Sequence, residues 1–307
     1  MNNAALPIRP GARLFAYLQL TRPANVITAW ADILAGYGAG YGAAGLVTAA
    51  DSSQVVSLLW LLLATSGLYA GGVTFNDVFD AELDAVERPE RPIPSGRASY
   101  IGAGLLGAAL LTVGVTAAMQ VSLLSGGIAL VIALLALTYD KFSKHSALLG
   151  PVNMGLCRGG NLLLGVSAAG TIVPLWFLLF IPLIYIGAVT TMSRQEVFGG
   201  DRQTGVIAVS LLGLTLAALV GLIGLPAVHW PLLPFVALLA LLTLSPFLRA
   251  TRMPDALTVR AAVKAGVLAL IVMDGAIAAG FAGGVYGLCV LALLPLSAGV
   301  ARLFAVT

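Results

Sequence analysis

Four polar side chains recur at short intervals in the segment TFNDVFDAELDAVERPERPIPSG: Asn76, Asp77, Asp80 and Asp84. On one helix, Asn76, Asp80 and Asp84 lie above one another, and Asp77 precedes Asp80 by three residues. Carboxylates on one face repel each other and oppose the helix dipole near a C-terminal end, each effect costing a few tenths of a kcal/mol. A hard cation removes both costs, and Mg²⁺ is usually held by carboxylates together with substrate phosphate oxygens. We therefore predict a Mg²⁺ site here.

The alternative is that this segment is only the solvated acidic end of a helix. Arg88, Arg91 and Arg97 follow the motif closely, so some of its carboxylates could be paired with them. The regular spacing and the position beside an apolar segment favour the metal site.

The composition indicates an integral membrane protein that places this motif at the end of a helix. The 307 residues are 59% hydrophobic and only 9% charged, which is outside the range of soluble domains. We expect one all-α transmembrane domain over residues 1–307, a bundle of nine to ten helices, with 1–22 as an interfacial N-terminal segment. Ten candidate spans are 23–46, 55–75, 99–118, 121–139, 148–168, 172–192, 205–225, 230–248, 259–281 and 284–305. Neither cysteine suggests a disulfide or a zinc site, since Cys157 and Cys289 both fall in apolar segments.

The basic residues are distributed on one side of these spans. Fifteen of the sixteen lie in or beside the N-terminus, alternate loops and the C-terminal end, and the other, Arg158, lies inside a span. This bias predicts that the N-terminus and the acidic loops are cytoplasmic, in a cytoplasmic or inner membrane.

Four stretches resemble one known family, the UbiA-type membrane prenyltransferases. NDVFDAELDAVERPERPIPSGRAS is similar to its first acidic signature, and LTRPANVITAWADILAG to its opening helix. YDKFSKHSALLGPVNMGLCRGGNLLLG resembles its tyrosine-and-lysine stretch, and DRQTG the end of its second acidic signature. Within the family, the third of these stretches and the tenth apolar segment look closer to the EboC type.

The resemblance implies a helical bundle around a central cavity and a Mg²⁺-dependent transfer reaction. A polyprenyl diphosphate would be bound through Mg²⁺ at two acidic signatures, and its prenyl group would pass to a small-molecule acceptor, usually aromatic. Membrane lipid surrounds such a protein, no nucleic acid is involved, and no protein partner can be deduced. The alternative function is a non-catalytic membrane carrier or export component that binds an isoprenoid or a secondary metabolite.

The second acidic signature departs from the family spacing. Glu196 and Asp201 are five residues apart rather than four, and a five-residue step rotates about 140° on a helix. Gly199 and Gly200 could bring Asp201 round, so Glu196 and Asp201 are predicted as further metal ligands. The alternative is a charge-balanced solvated loop that also contains Arg194 and Arg202.

The remaining predicted site residues surround the diphosphate and the reacting carbon. Lys144, with Lys141 as a rival, matches the basic residue after the family tyrosine, Tyr139. Arg158 is a costly charge inside a span and needs a cavity or a partner, which Asp32 could provide. Another acid inside a span, Asp274, is as readily explained by a buried hydrogen bond.

The predicted catalytic residues are Asp77, Asp80, Lys144 and Arg158. The predicted substrate-binding residues are Asn25, Asn76, Lys141, Tyr139, Asn161, Arg202 and Asp32; the predicted metal ligands are Asn76, Asp77, Asp80, Asp84, Glu196 and Asp201.

Overall fold

A computed structural model describes residues 10–44, 51–194 and 200–304, and within them the chain is helical and contains no strand. The helices are α1 (Pro10–Leu20), α2 (Pro23–Ala43), α3 (Ser52–Phe79), α4 (Ala81–Glu87), α5 (Tyr100–Met119), α6 (Leu123–Thr138), α7 (Leu149–Val166), α8 (Phe180–Ser193), α9 (Arg202–Gly221), α10 (Leu232–Arg252), α11 (Ala256–Ala282), α12 (Gly284–Leu291) and α13 (Leu293–Phe304). The all-α prediction is confirmed.

In the described part of the chain, eight helical segments are long and apolar enough to cross a membrane. They are Ser52–Phe79, Tyr100–Met119, Leu123–Ser143, Trp176–Ser193, Arg202–Gly224, Leu232–Arg252, Ala256–Ala282 and Gly284–Leu303. The predicted number of nine to ten is not confirmed. The two predicted spans outside this set correspond to α2 and α7, whose polar residues and glycines lower their mean hydropathy.

The short helix α1 has two apolar faces with different surroundings. Ala16 and Leu20 are buried in a cluster with Val78 of α3, while Leu14 and Leu18 are exposed. A helix that docks by one face and exposes apolar residues on another is suited to lie in the membrane interface. The interfacial position of residues 1–22 stays a prediction, and residues 1–9 lie outside the described ranges.

The two more polar helices, α2 and α7, occupy the centre of the bundle and pack directly against each other. Helix α2 also contacts α3, α11 and α13. At Gly36 of α2 an added Cβ would lie 1.9 Å from the carbonyl oxygen of Leu162, and at Gly165 of α7 one would lie 2.4 Å from the carbonyl oxygen of Ile33. Small residues at a helix crossing allow the backbones to approach closely. This approach lets polar side chains on α2 and α7 meet inside the bundle.

We expect Gly36→Ala to destabilise the protein by about 1–3 kcal/mol, because the methyl group forces two backbones apart. Gly104→Ala is the matched control, since nothing lies within 4 Å of a Cβ added at that helical glycine, and alanine favours a helix over glycine by up to about 1 kcal/mol. Thermal denaturation in detergent measures both. Equal midpoints for the two variants would show that the crossing tolerates the methyl group.

Candidate functional site

The acidic motif lies where α3 meets α4, and the two helices are not one uninterrupted helix. Helix α3 ends at Phe79, and Asp80 has φ −91° and ψ 2° between it and α4. The Asp80 N–H still donates to the carbonyl of Asn76 at 3.0 Å, and the Asp84 N–H to that of Asp80 at 2.8 Å. The predicted single helix is therefore interrupted at Asp80, although the backbone hydrogen bonds that join Asn76, Asp80 and Asp84 at four-residue steps are retained.

Each carboxylate of the motif forms an ion pair with a basic side chain. Asp77 Oδ1 lies 2.6 Å from Arg22 Nη2 and 3.4 Å from Arg91 Nη1, which also lies 2.7 Å from Asp84 Oδ2. Lys144 pairs with Asp80. Arg91 thus holds Asp77 and Asp84 together. The sequence analysis had named Arg91 as one of three downstream arginines that could pair with these acids. The arrangement gathers three acids and three bases at one end of the bundle, called the acidic end below.

Arg22 is a site residue that the sequence analysis missed. It precedes α2 in the left-handed region, at φ 46° and ψ 63°, and it is the one non-glycine residue with positive φ in the described ranges. Such a conformation costs on the order of 1–3 kcal/mol and is concentrated at functional sites. The conformation is compatible with its guanidinium reaching Asp77 on another helix. Its only signal in the sequence was its position just before Pro23, at the start of a helix.

A π-helical turn over Tyr139–Ser143 brings a second set of polar residues to the motif. It is followed by Lys144, which reaches Asp80, whereas Lys141 is exposed and lies over the ring of Phe142 at 5.2 Å. Of the two rival lysines, the structure therefore places Lys144 at the motif. Asp140, which the sequence analysis also missed, is buried and accepts a 2.9 Å hydrogen bond from Asn76 Nδ2.

The donor atoms of the motif fit Mg²⁺, although the side chains are not arranged as a cage. Three carboxylates and the Asn76 amide provide hard oxygen donors, the type that Mg²⁺ prefers. Within the described ranges no three histidine, cysteine or acidic side chains converge as a metal site. The carboxylates face bases, so metal binding requires them to turn away from those partners.

The second predicted acidic signature is only partly within the described residues. Glu196 lies outside them. Asp201 is exposed and caps α9, accepting hydrogen bonds from the Thr204 backbone N–H and hydroxyl, each at 2.8 Å. The backbone hydrogen bond from Thr204 lowers the pKa of Asp201 from its ordinary value. The role of Glu196 and Asp201 as metal ligands stays a prediction.

Three other predicted substrate-binding residues lack a side-chain hydrogen bond within the described ranges, although Tyr139 lies close enough to Asp140 and Asp80 to interact with them electrostatically. The side chains of Asn25, Tyr139 and Arg202 form no hydrogen bond with another residue that the structure describes. Asn25 and Tyr139 are half-buried, and Arg202 is exposed at the start of α9. Their assignments stay predictions.

The charged residues inside the bundle form one buried polar cluster. Arg158 donates to Asp32 Oδ2 at 2.8 Å and to Thr28 Oγ1 at 2.6 Å, and Asn161 donates to the same Asp32 oxygen at 2.9 Å. The Arg158 guanidinium also lies 5.4 Å from the ring centre of Tyr69 on α3, within the range of a cation–π contact. Arg158 thus has the intramembrane partner predicted for it. The cluster ties α2, α3 and α7 together, about 14 Å from the N-terminal ends of α2 and α7.

Asp274 of α11 completes this cluster without a donor of its own. It is fully buried and interacts with Asp32 and Arg158. Neither oxygen of Asp274, nor Oδ1 of Asp32, has a hydrogen-bond partner among the described residues. Asp274 nevertheless faces the Asp32 carboxyl group closely enough for a hydrogen bond when one proton is shared between them, so the predicted buried hydrogen bond stays a prediction. Two adjacent carboxylates beside one arginine have an excess negative charge unless a proton lies between them.

We therefore expect Asp274→Asn to leave stability unchanged or to raise it by about 1 kcal/mol, because the amide N–H₂ can donate to Asp32. Asp274→Leu, of similar volume, removes the charge but provides no donor and is the comparison variant. The measurement is the midpoint of thermal denaturation in detergent. A clear loss of stability in Asp274→Asn would show that Asp274 acts as a required carboxylate.

Comparison with known proteins assigns the fold and the family. The UbiA prenyltransferase family matches residues 38–263, about three quarters of the 307 residues; the chain belongs to this family. It is 33% identical over 203 residues to a digeranylgeranylglyceryl phosphate synthase of Ignicoccus hospitalis, a match covering 63% of each chain. The corresponding protein of Sulfolobus acidocaldarius is 32% identical over 197 residues, covering 62% of this chain and 66% of its own. The matches thus span just under two thirds of these relatives' length.

Solved structures share the fold at lower sequence identity. A digeranylgeranylglyceryl phosphate synthase superposes with a TM-score of 0.68 over 88% of this chain and 99% of its own, at 22% identity. A UbiA homologue of Archaeoglobus fulgidus, bound to GPP and Mg²⁺, has a TM-score of 0.54 over 90% of this chain and 99% of its own, at 14% identity. The resemblance to the UbiA family is confirmed, whereas the closer likeness to the EboC type stays a prediction.

Proposed function

We propose that this protein is an integral membrane prenyltransferase that moves a polyprenyl group from an allylic diphosphate to the hydroxyl of a glyceryl phosphate lipid. The C1–O bond to the diphosphate breaks and its electron pair leaves with the diphosphate. A bond forms between C1 and the acceptor oxygen, and the hydroxyl proton is released to water. The expected family activity, the named relatives and the acidic end support this proposal.

The observation that carries the proposal is the alternation of acids and bases at the acidic end. Diphosphate recognition needs oxygen donors for a cation and positive side chains for the phosphate oxygens. Asp77, Asp80 and Asp84 provide the former, and Arg22, Arg91 and Lys144 the latter. The bases already lie beside the acids. A bound diphosphate would replace the carboxylates as the partner of these bases, and the carboxylates would then bind Mg²⁺.

The side chains then have separate tasks in the departure of the diphosphate. Mg²⁺, when bound, would neutralise the negative charge that develops on the leaving diphosphate. Asn76, Asp77, Asp80 and Asp84 would hold it. Arg22, Arg91 and Lys144 donate to the phosphate oxygens and fix the position of C1 near the acceptor. Arg158 is enclosed by Asp32 and Thr28, so we assign it to the support of α2 and α7 rather than to direct phosphate contact.

The proposed acceptor differs from the aromatic compound that the family resemblance implied. The relatives in the comparison are named for a glyceryl phosphate product, and no finding supports an aromatic acceptor. Because they are named as synthases, they also favour an enzyme over a non-catalytic carrier. We assign Mg²⁺ as the cofactor on the basis of the oxygen donor set and of the Mg²⁺ bound to the Archaeoglobus homologue.

An acceptor comparison tests the proposed function. The purified protein is given labelled geranylgeranyl diphosphate and Mg²⁺ with either geranylgeranylglyceryl phosphate or 4-hydroxybenzoate. We expect label to appear in the glyceryl phosphate lipid. Label only in the aromatic product would overturn the acceptor assignment, and tight diphosphate binding without product from either acceptor would favour the carrier.

A further inference from the structure

Asp140 has no role in the function proposed above, yet it is buried beside the acidic motif. It lies in the π-helical turn and is 4% exposed. Its Oδ1 accepts the hydrogen bond from Asn76 Nδ2 at 2.9 Å, across 64 residues of sequence. Burying a carboxylate is costly without a hydrogen-bond partner, and Asn76 is the partner that Asp140 has in this position.

The hydrogen bond determines which way the Asn76 amide faces. An ionised carboxylate only accepts hydrogen bonds, whereas the planar amide has a donating nitrogen and an accepting oxygen on opposite sides of the Cβ–Cγ axis. Ionised Asp140 therefore selects the orientation in which Asn76 Nδ2 faces it and Oδ1 faces away, which is the orientation in the structure. Oδ1 is the only side-chain atom of Asn76 that can ligate a hard cation.

The backbone around Asp140 is itself held in place. The Lys144 N–H donates to the Tyr139 carbonyl at 3.0 Å, which is the five-residue bond of a π turn. Asn153 of α7 donates to Ser143 Oγ at 3.2 Å and joins the turn to α7. Single π turns inside α-helices are frequent at functional sites. The turn places Asp140 against Asn76 while Lys144 reaches Asp80.

We propose that Asp140 is a positioning residue that orients Asn76 so that its carbonyl oxygen is available to Mg²⁺. This inference rests on the proposed function, because it assigns a task within the same metal site. Partners that orient metal ligands typically change metal affinity by about 10–100-fold when they are removed. Asp140 acts through a hydrogen bond, so an uncharged acceptor at the same position should largely replace it.

The test measures the Mg²⁺ concentration that half-saturates binding of geranylgeranyl thiodiphosphate, an unreactive analogue, to purified protein. We expect Asp140→Leu to raise this concentration about 10–100-fold. Asp140→Asn retains an oxygen that accepts from Asn76, but it also permits the opposite amide orientation, so we expect a rise of no more than about threefold. Equal effects of the two variants would overturn the proposal, because charge rather than orientation would then be the property that matters.

A second background separates this role from a structural one. In Asn76→Ala, which has no amide to orient, we expect Asp140→Leu to produce no further change in the Mg²⁺ requirement. The double variant also leaves neither partner unpaired, so it remains informative if Asp140→Leu alone does not fold. An additional tenfold loss in the double variant would show that Asp140 acts independently of Asn76.

The wild-type protein distinguishes the failure of this inference from that of the proposed function. Wild-type binding that depends on Mg²⁺, with an unchanged requirement in Asp140→Leu, overturns the orienting role alone. Wild-type binding that does not respond to Mg²⁺ overturns the metal site, and the role of Asp140 with it.

Discussion

Asp80→Asn is expected to lower kcat/KM for prenyl transfer by about 10³-fold while the protein still folds and inserts into the membrane. A metal ion supplies several kcal/mol of transition-state stabilisation, and about 4 kcal/mol corresponds to this factor. The fold should survive because Asp80 and Lys144 are partly exposed, at 20% and 12% for their side chains. Asparagine can still accept a hydrogen bond from Lys144, so the substitution leaves neither side chain without a partner.

The control for Asp80→Asn is Glu82→Gln, which removes an exposed acid two residues away. Both variants lose one negative charge from the same end of the bundle, so a general electrostatic effect would be similar in the two. Steady-state kinetics with labelled geranylgeranyl diphosphate measure the difference. Comparable activity of Asp80→Asn and Glu82→Gln would remove Asp80 from the reaction.

Arg158→Ala is expected to destabilise the protein by about 3–5 kcal/mol, the largest stability effect that we predict. The substitution leaves Asp32 and Asp274 buried without a cation, and breaking a buried ion pair from one side has a cost of this size. It also removes the contacts with Thr28 and Tyr69. The measurement is the midpoint of thermal denaturation in detergent. The control is Arg249→Ala, which removes an exposed arginine of α10.

A double variant shows whether the loss arises from the unpaired carboxylate. In Asp32→Leu combined with Arg158→Met, neither member of the pair remains, and replacing a whole buried pair by apolar residues is often neutral. We therefore expect this double variant to recover at least half of the stability lost in Arg158→Ala. A double variant as unstable as the single one would mean that the cluster acts through its shape and not through its charges.

Local spacing made the acidic motif predictable, but it did not reveal the residues that face it. Asn76, Asp77, Asp80 and Asp84 lie within nine residues, so helical geometry alone placed them near one another. Arg22 and Asp140 reach the motif across 55 and 64 residues. A single sequence contains no signal for such contacts, since they depend on how the helices pack.

The buried cluster was more accessible to prediction because the membrane restricts where charges can lie. A charge inside a span needs a partner, and Arg158 and Asp32 were therefore candidates for each other despite a sequence separation of 126. The same polar residues lower the hydropathy of α2 and α7, so these two predicted spans are not among the eight apolar helical segments of the described residues. The break at Asp80 could not be predicted, because no glycine or proline marks it.

The central claim is that the acidic end binds a prenyl diphosphate through Mg²⁺ for transfer to an acceptor. The most direct measurement is the label transferred from geranylgeranyl diphosphate to geranylgeranylglyceryl phosphate by the purified protein, as Mg²⁺ is titrated and then removed with EDTA. We predict product that rises with Mg²⁺ to saturation, disappears with EDTA and returns when Mg²⁺ is restored. Product formation that continues unchanged in EDTA would contradict the account.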